Sequence, residues 1–518
     1  MKKIFKEIVA FFNKDKWSSE GIFALVFALV LVFNVLLTAL VQIFDLYIYE
    51  KDTTDYSISG NTDPLFEDAI EDGKKIKISF CLAENDLEMH DSGSLVHNTV
   101  KEFAERYPGF IEIDYINIMT RRNKDGKLVD LAKYQKLDTD RNDGDENAED
   151  VKMPILKTSV IFECGENYRV VTDLYSTAGF ADFYTLDASG NLTSYNGEEV
   201  VAAMMSWVLH DEHKTVYFTQ YHSEVVDPAF ANLMVCAGYN INVIDLKKQD
   251  VPEDAAMVII SNPKSDFERG AEGTGVTSEI ERLRDYLNRG GNLMITLDPY
   301  VKKLAVLESF IAEHGISFST SVDPKSGRVA RNIVKDNSGA ITLDGFTLVA
   351  EYANNKLAKD IEDTVSEYSD GDVIIREVSA LELTGNAKPL LRSSSTSELE
   401  AHGMTVDKGG KYAIAAYSDT ALENGGHAKV FVVPSIYLAV SDALVSRGYS
   451  NKDFVYALFE NYFGSSVAPY GCNDVLYDTD TLENLTMRSA KIYTAVIMAI
   501  PAVLAVIGTV VIVRRRQR

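Results

Sequence analysis

Residues 215–246 read TVYFTQYHSEVVDPAFANLMVCAGYNINVIDL, and this stretch decides the fold class. VYFT is a short apolar strand, QYHSEVVDP a polar loop, AFANLMVCAGY a helix and INVIDL a second strand. The pattern then continues with strand AMVIIS (256–261), a polar loop, helix SEIERLRDYLNRGG (278–291) and strand NLMITLDP (292–299). Each helix ends in glycine, Gly238 in the first and Gly290 with Gly291 in the second, as a left-handed C-cap requires. The strands are short and apolar without alternation, which suits burial on both faces of a parallel sheet. The reading is α/β, with a doubly wound domain at its centre.

Working outward, KIKISFCL (75–82) alternates as a strand, SLVHNTVKEFAERYP (94–108) has the apolar spacing of a helix, and FIEIDYINI (110–118) is a further strand. Strand, helix, strand makes a βαβ unit, here a preceding thioredoxin-like or related subdomain. Ser159–Glu163 and Tyr168–Asp173 bracket CGEN as a hairpin, and helix EEVVAAMMSWVLH (198–210) leads into the central pattern. Residues 322–428 are polar with few clear periods and read as loops and short strands. HAKVFVVPS (427–435) and DFVYALFENYFG (453–464) read as a returning strand and helix. The expected organisation is a lead-in over 45–75, a first α/β subdomain over 76–200, a larger doubly wound domain over 201–466 with a polar insertion at 322–428, and a linker over 467–491.

Two stretches lie outside that organisation. Residues 21–44 (GIFALVFALVLVFNVLLTALVQIF) and 492–513 (IYTAVIMAIPAVLAVIGTVVIV) carry no charge. About 20 apolar residues suffice to cross a bilayer core as a helix, so two transmembrane helices are expected. The first is too long for a secretory signal's apolar region, and no convincing cleavage site follows it. Five lysines precede the first span and four arginines follow the second, and such flanks stay in the cytoplasm. Residues 1–20 and 514–518 are therefore expected inside, with 45–491 extracytoplasmic and the lipid bilayer a partner through both ends. The whole chain carries a formal net charge of -26. Both ends are net positive, so the central region holds more than the whole acidic excess, which disfavours nucleic acid.

Candidate chemistry sits beyond the carboxyl ends of the strands, where α/β sheets hold their ligands. The residues there are Tyr221, His222, Ser223 and Glu224, then Ser261, Asn262 and Lys264, then Asp298. His222 beside Glu224 has the elements of an acid or base, and Ser261 has a hydroxyl. No G-x-S-x-G, Walker or G-x-G-x-x-G motif follows a strand, and the eight histidines show no H-x-x-x-H spacing. No catalytic set, metal site or cofactor is assigned. The residues expected to form a binding loop are Tyr221, His222, Ser223, Glu224, Asn262 and Asp298. Cys81, Cys164, Cys236 and Cys472 form no C-x-x-C pair, leaving bridged and free states both open. Asp138–Asp150 partly matches a calcium-binding EF-hand loop, but position six is Asp143 instead of glycine, so a solvated acidic loop is expected.

In its order of elements the chain resembles the GldG-like, gliding-motility-associated auxiliary components of ABC transport systems. The resemblance rests on YSIS (56–59), the βαβ unit, the hairpin SVIFECGENYRVVTDL (159–174), the run EEVVAAMMSWVLHDEHKTVYFTQYHSE (198–224), EIERLRDYLNRGGNLMITLDP (279–299) and HGI (314–316). Where the family has a Gly-His-Gly-Glu-type loop, His222 and Glu224 match, while Tyr221 and Ser223 replace the glycines. Glycine there permits positive φ or close backbone approach. The resemblance implies a non-catalytic extracytoplasmic subunit at the cell membrane, whose partners are an ABC permease and a cytoplasmic ATPase subunit. The competing expectations are a surface hydrolase of amidotransferase-like α/β fold using His222 and Glu224, and a sensor or adhesion ectodomain.

Overall fold

The computed structural model describes residues 58–476, apart from 90, 136, 139–150, 153, 176–181, 187–191, 270–276, 424, 446–447, 465–467 and 473–474. The two expected membrane spans, both tails and nearly all of the acidic loop lie outside the described residues. Among the described residues no helix is long and apolar enough to cross a membrane.

The first sheet has four strands. β1 (Ile76–Phe80) pairs parallel with β2 (Ile111–Tyr115), and α1 (Asp91–Arg106) makes the crossover. β3 (Val160–Cys164) runs antiparallel to β1 and turns at Gly165, φ 63°, into β4 (Asn167–Val171). The strand order is β2-β1-β3-β4. Val96, Val100 and Phe103 recur at helical spacing on α1, and all three are fully buried. α2 (Gly197–Leu209) is apolar nearly all round because both its sides are covered. It packs on β1, β3 and β4 of this sheet and on the first helix of the next, so one core is continuous across the two.

The second sheet has ten strands. Its parallel half comprises β5 (Thr215–Thr219), β6 (Asn240–Ile244), β7 (Ala255–Ser261), β8 (Asn292–Thr296) and a strand that returns late in the chain. α3 (Pro228–Cys236) joins β5 to β6, and α4 (Glu279–Asn288) joins β7 to β8. Gly238 and Gly290 follow these helices at φ 87° and 93°, the left-handed caps expected of them. Alternate strand residues enter two different cores. Val216, Phe218, Met257, Ile259 and Met294 join α3 on one face, and Tyr217, Val258, Ile260, Leu293 and Ile295 join α4 on the other. With about 1.5–3 kcal/mol from each fully buried large apolar side chain, this two-sided burial fixes the strands' apolar composition.

The stretch 322–428 departs from the expected loops and short strands. It contains α6 (Lys356–Tyr368), which follows α5 (Ala305–Glu313) and β9 (Ile316–Phe318) along the chain. It also supplies β10 (Leu381–Leu383) and the nine-residue β11 (Ala413–Ala421), which turns back into β12 (His427–Val433). β12 is the expected returning strand and pairs parallel with β8. The main path reads β6-β5-β7-β8-β12-β11-β10-β9, parallel through β12 and antiparallel thereafter. The α/β class therefore holds, and the sheet is mixed because the polar stretch adds strands to its edge. The closing helix α7 (Asn451–Leu458) is buried on the α3 face.

The beginning and the end of the described chain meet. Ser59 donates from its backbone N–H and its hydroxyl to Glu198 Oε1, both at 2.8 Å. Asn61 Nδ2 donates to the Gly471 carbonyl at 3.1 Å, and Gly471 N–H donates to Asp453 Oδ1 at 3.0 Å. Val475–Leu476 pairs antiparallel with part of Leu192–Tyr195. All four cysteines are free. Burial pushes the Cys81 thiol up to about 12, away from reactivity.

Candidate functional site

The order β6-β5-β7 puts the first strand of the parallel set between the second and third. Connections from β5 and β7 thus leave in opposite directions, and such a switch point opens a crevice at the carboxyl ends of the strands. Two loops flank it, 220–227 after β5 and 262–268 after β7. They are sewn together: Val225 N–H donates to the Ser261 carbonyl at 3.1 Å, and Lys264 and Ser265 donate to the His222 carbonyl at 2.8 and 3.0 Å.

The backbone here is strained. Tyr221, Ser223 and Asn262 have φ of 77°, 55° and 50°, and they are half of the six non-glycine residues described with positive φ. Each such conformation costs an L-residue about 1–2 kcal/mol, and strain of this kind concentrates at functional sites.

The strained turn buries His222, which is 1% exposed. Its Nδ1 lies 2.9 Å from Glu224 Oε1, and its backbone N–H donates to Glu224 Oε2 at 2.7 Å. Its Nε2 meets Glu279 at the start of α4, 3.1 Å from Oε2 and 3.0 Å from Oε1, with the aligned hydrogen bond going to Oε2. Glu279 Oε2 also accepts the Glu268 N–H at 2.7 Å. Phe267 stacks flat on the imidazole, centroids 3.9 Å apart. Burial opposes a charge on His222, but the bonds and charges of Glu224 and Glu279 outweigh it and push the ring up to about 9. Burial also works against ionised Glu224, yet His222 and two backbone N–H groups hold its carboxyl below the ordinary value.

A second cluster lies across β7. Asn262 is buried, and its Oδ1 accepts Lys264 Nζ at 3.0 Å and Asp298 N–H at 3.2 Å. Lys264 Nζ reaches Asp298 Oδ2 at 2.9 Å. Tyr221 is 54% exposed, with Lys248 Nζ 5.4 Å from its ring centre. The six expected site residues thus gather at one edge of the sheet in two groups. Tyr221, His222, Ser223 and Glu224 form one, Asn262 and Asp298 the other, and Lys264 serves as the bridge of the second group while its backbone holds the first.

This chemistry is that of a rigid ionic knot. When the ring is doubly protonated, both nitrogens donate and neither can accept a proton, so general-base work at His222 would need the neutral imidazole. Ser261 Oγ donates to the Val225 carbonyl at 2.8 Å and its residue is buried, which occupies that hydroxyl. Sequence reasoning missed Glu279 and Phe267. The local signal at Glu279 was the helix start itself: Ser278 and Glu281 form a capping box, and a carboxylate at the first turn is favoured by the helix dipole. Nothing in the sequence paired it with a histidine 57 positions earlier.

No family model matches the chain, and no curated protein matches it. Solved structures similar to part of it include the mmIFT52 N-terminal domain, 15% identical over 48% of this chain and 98% of that one, with a TM-score of 0.36. A putative ThuA-like protein from Parabacteroides merdae is 11% identical over 52% of this chain and 98% of its own, with a TM-score of 0.31. A glutamine amidotransferase from Thermotoga maritima is 11% identical over 49% of this chain and 100% of its own, with a TM-score of 0.27.

Proposed function

We propose that this chain is a non-catalytic auxiliary subunit of an ABC-type transport system, anchored in the cell membrane at both ends and binding a permease, a transported substrate or both outside the cytoplasm. The observation that carries the reading is the junction of the first and last segments of the described region. Ser59 is hydrogen-bonded to Glu198, and Asn61 and Gly471 are bonded to each other and through Gly471 to Asp453. Two uncharged segments flank that locus in sequence, 21–44 before it and 492–513 after it. A common exit point favours insertion of both as a hairpin, with the folded region as its loop. Tethering at two points also raises the effective concentration of the domain beside a membrane partner.

The non-catalytic part of the reading draws on His222, held by carboxylates at both nitrogens. The order of elements shared with GldG-like proteins supports the transport role. The reading includes a thioredoxin-like first subdomain, in keeping with the order β2-β1-β3-β4, followed by a doubly wound domain. Affinity purification of the full chain from membranes should recover a permease and an ATPase, with ATP hydrolysis stimulated only in the assembled complex. An active transporter that assembles without touching this chain would sink the role. Protease shaving of intact cells should degrade the region 45–491 and spare tags on the two tails. Shielding of the central region would reject the topology.

A further inference from the structure

The hydrogen bonds that join the first and last described segments form one chain with a carboxyl group at each end. Asp453 Oδ1 accepts the Gly471 N–H at 3.0 Å, and the Gly471 carbonyl accepts Asn61 Nδ2 at 3.1 Å. The Asn61 N–H donates to Ser59 Oγ at 3.1 Å, and Ser59 Oγ donates to Glu198 Oε1 at 2.8 Å. Glu198 opens α2 and Asp453 lies in α7, so the two segments hang between two helices of the same core. The bonds fall on Glu198 Oε1 and Asp453 Oδ1. A proton on the second oxygen of either carboxyl therefore leaves these acceptors in place.

The charges at the junction do not balance. Glu199, beside Glu198 and buried, is a third carboxylate; it accepts the Tyr456 hydroxyl and lies 3.2 Å from Lys452 Nζ. Asp453 is buried and Glu198 half-buried. The buried Cys472 thiol, next to Gly471, is acted on by Glu198, Glu199, Lys452 and Asp453 together, which sets the four charges around one point. Lys452 is thus one cation facing three carboxylates, and both burial and like charge favour a neutral carboxyl. The surrounding groups do not restore the balance. Arg106 of α1 lies against Gly60 but is bonded to Asp63, and this bond holds the Asp63 carboxyl below its ordinary value, so the pair stays charged near neutral pH. Tyr470 donates to Glu460, and Tyr352 and Tyr368 face Asp453 with phenols that burial pushes up, so neither ionises near neutral pH.

We propose that this junction is a proton-operated latch, in which neutral Glu198 and Asp453 hold the first and last described segments together more tightly than their ionised forms do. At Glu198, burial outweighs the donors of Ser59 and Gly60 and the charge of Lys452, and the carboxyl is raised above its ordinary value. At Asp453, burial outweighs the Gly471 N–H and Lys452, with Glu199 adding repulsion, and the shift has the same direction. A closed form that binds protons more tightly than the open form gains stability as the pH falls. The gain is complete below the ordinary values of 4.5 for Glu198 and 3.8 for Asp453, and it is lost as the pH rises through the raised ones. The latch stands on the junction alone and operates whether or not the chain serves a transporter.

The test is hydrogen exchange read by mass spectrometry on the full chain in an uncharged detergent. Protection of the amides of Ser59, Asn61 and Gly471 is compared at pH 5 and pH 8 after correction for intrinsic rates. Relative to the amides of β5–β8 in the same samples, it should be at least about threefold higher at pH 5. The double variant Glu198→Gln/Asp453→Asn keeps both acceptor oxygens without the charge, and should show the higher protection at both pH values. If that variant loses protection in β5–β8, Asp453→Asn alone takes its place and should remove the pH dependence at Gly471. Equal or lower protection at pH 5 in the wild type would overturn the latch, and so would a pH dependence that persists unchanged in the variant.

Discussion

At the residue scale, His222 links the switch-point backbone to the charge state of the protein. Its folded value of about 9 lies above the ordinary value of about 6.5. Its contribution to stability is therefore complete below about pH 6.5 and disappears as the pH rises through about 9. The difference in urea-denaturation stability between wild type and His222→Gln should narrow by about 2–3 kcal/mol between pH 7 and pH 10. A difference that stays constant would mean that the imidazole is neutral in the folded protein. Ser223 allows a backbone test of the same turn. Ser223→Gly relieves about 1–2 kcal/mol of left-handed strain against about 0.5–1 kcal/mol of added chain entropy, so it should be neutral or stabilising. Ser223→Val should destabilise by more than about 1 kcal/mol, because a β-branched residue resists positive φ. The loop residues of this knot were legible from the sequence because they follow an unmistakable strand. Glu279 was not, because a carboxylate on a helix start looks like an ordinary cap until the fold brings it against His222.

At the element scale, the parallel core was legible because its strands are buried on both faces and read as unbroken apolar runs. β5, β6, β7, β8 and the returning β12 all occur where those runs fall. α6 was overlooked although its pattern was present. Ala358, Ile361 and Val365 are its buried residues, at helical spacing, and Asn355 caps it by accepting the Ala358 N–H at 3.2 Å. The remaining residues of α6 are mostly charged or polar, so its average composition resembles that of the loops around it. β11 was hidden differently: its alanines have little β propensity, and it forms because β12 lies alongside to pair with it. Ile361 is fully buried, so Ile361→Ala should lower stability by about 2–5 kcal/mol in urea denaturation. A loss below about 1 kcal/mol would show α6 to be loosely docked. Asn355→Ala removes more than a cap, since Nδ2 also donates to the Pro389 carbonyl at 2.7 Å and Oδ1 accepts the Tyr417 hydroxyl at 3.0 Å.

At the scale of the whole molecule, the described residues belong to one compact unit, whose first and last segments are stapled by Asn61, Gly471, Glu198 and Asp453. Gly471 has φ 65°, and a Cβ there would meet Asn61 Nδ2 at 2.4 Å. Gly471→Ala should therefore cost about 1–3 kcal/mol and speed amide exchange around residues 59–61 before it affects the β5–β8 core. Uniform exchange across the chain in that variant would mean that the staple is not a separable unit. Neither partner of this contact could be matched from the sequence, because it closes a separation of 410 residues. Topologically, a folded region whose first and last described segments already touch is a ring with one cut, and the cut can be moved. Joining residue 58 to residue 476 through a short linker, and opening the exposed turn Asp323–Gly327 instead, should give a permuted soluble protein with the same two sheets.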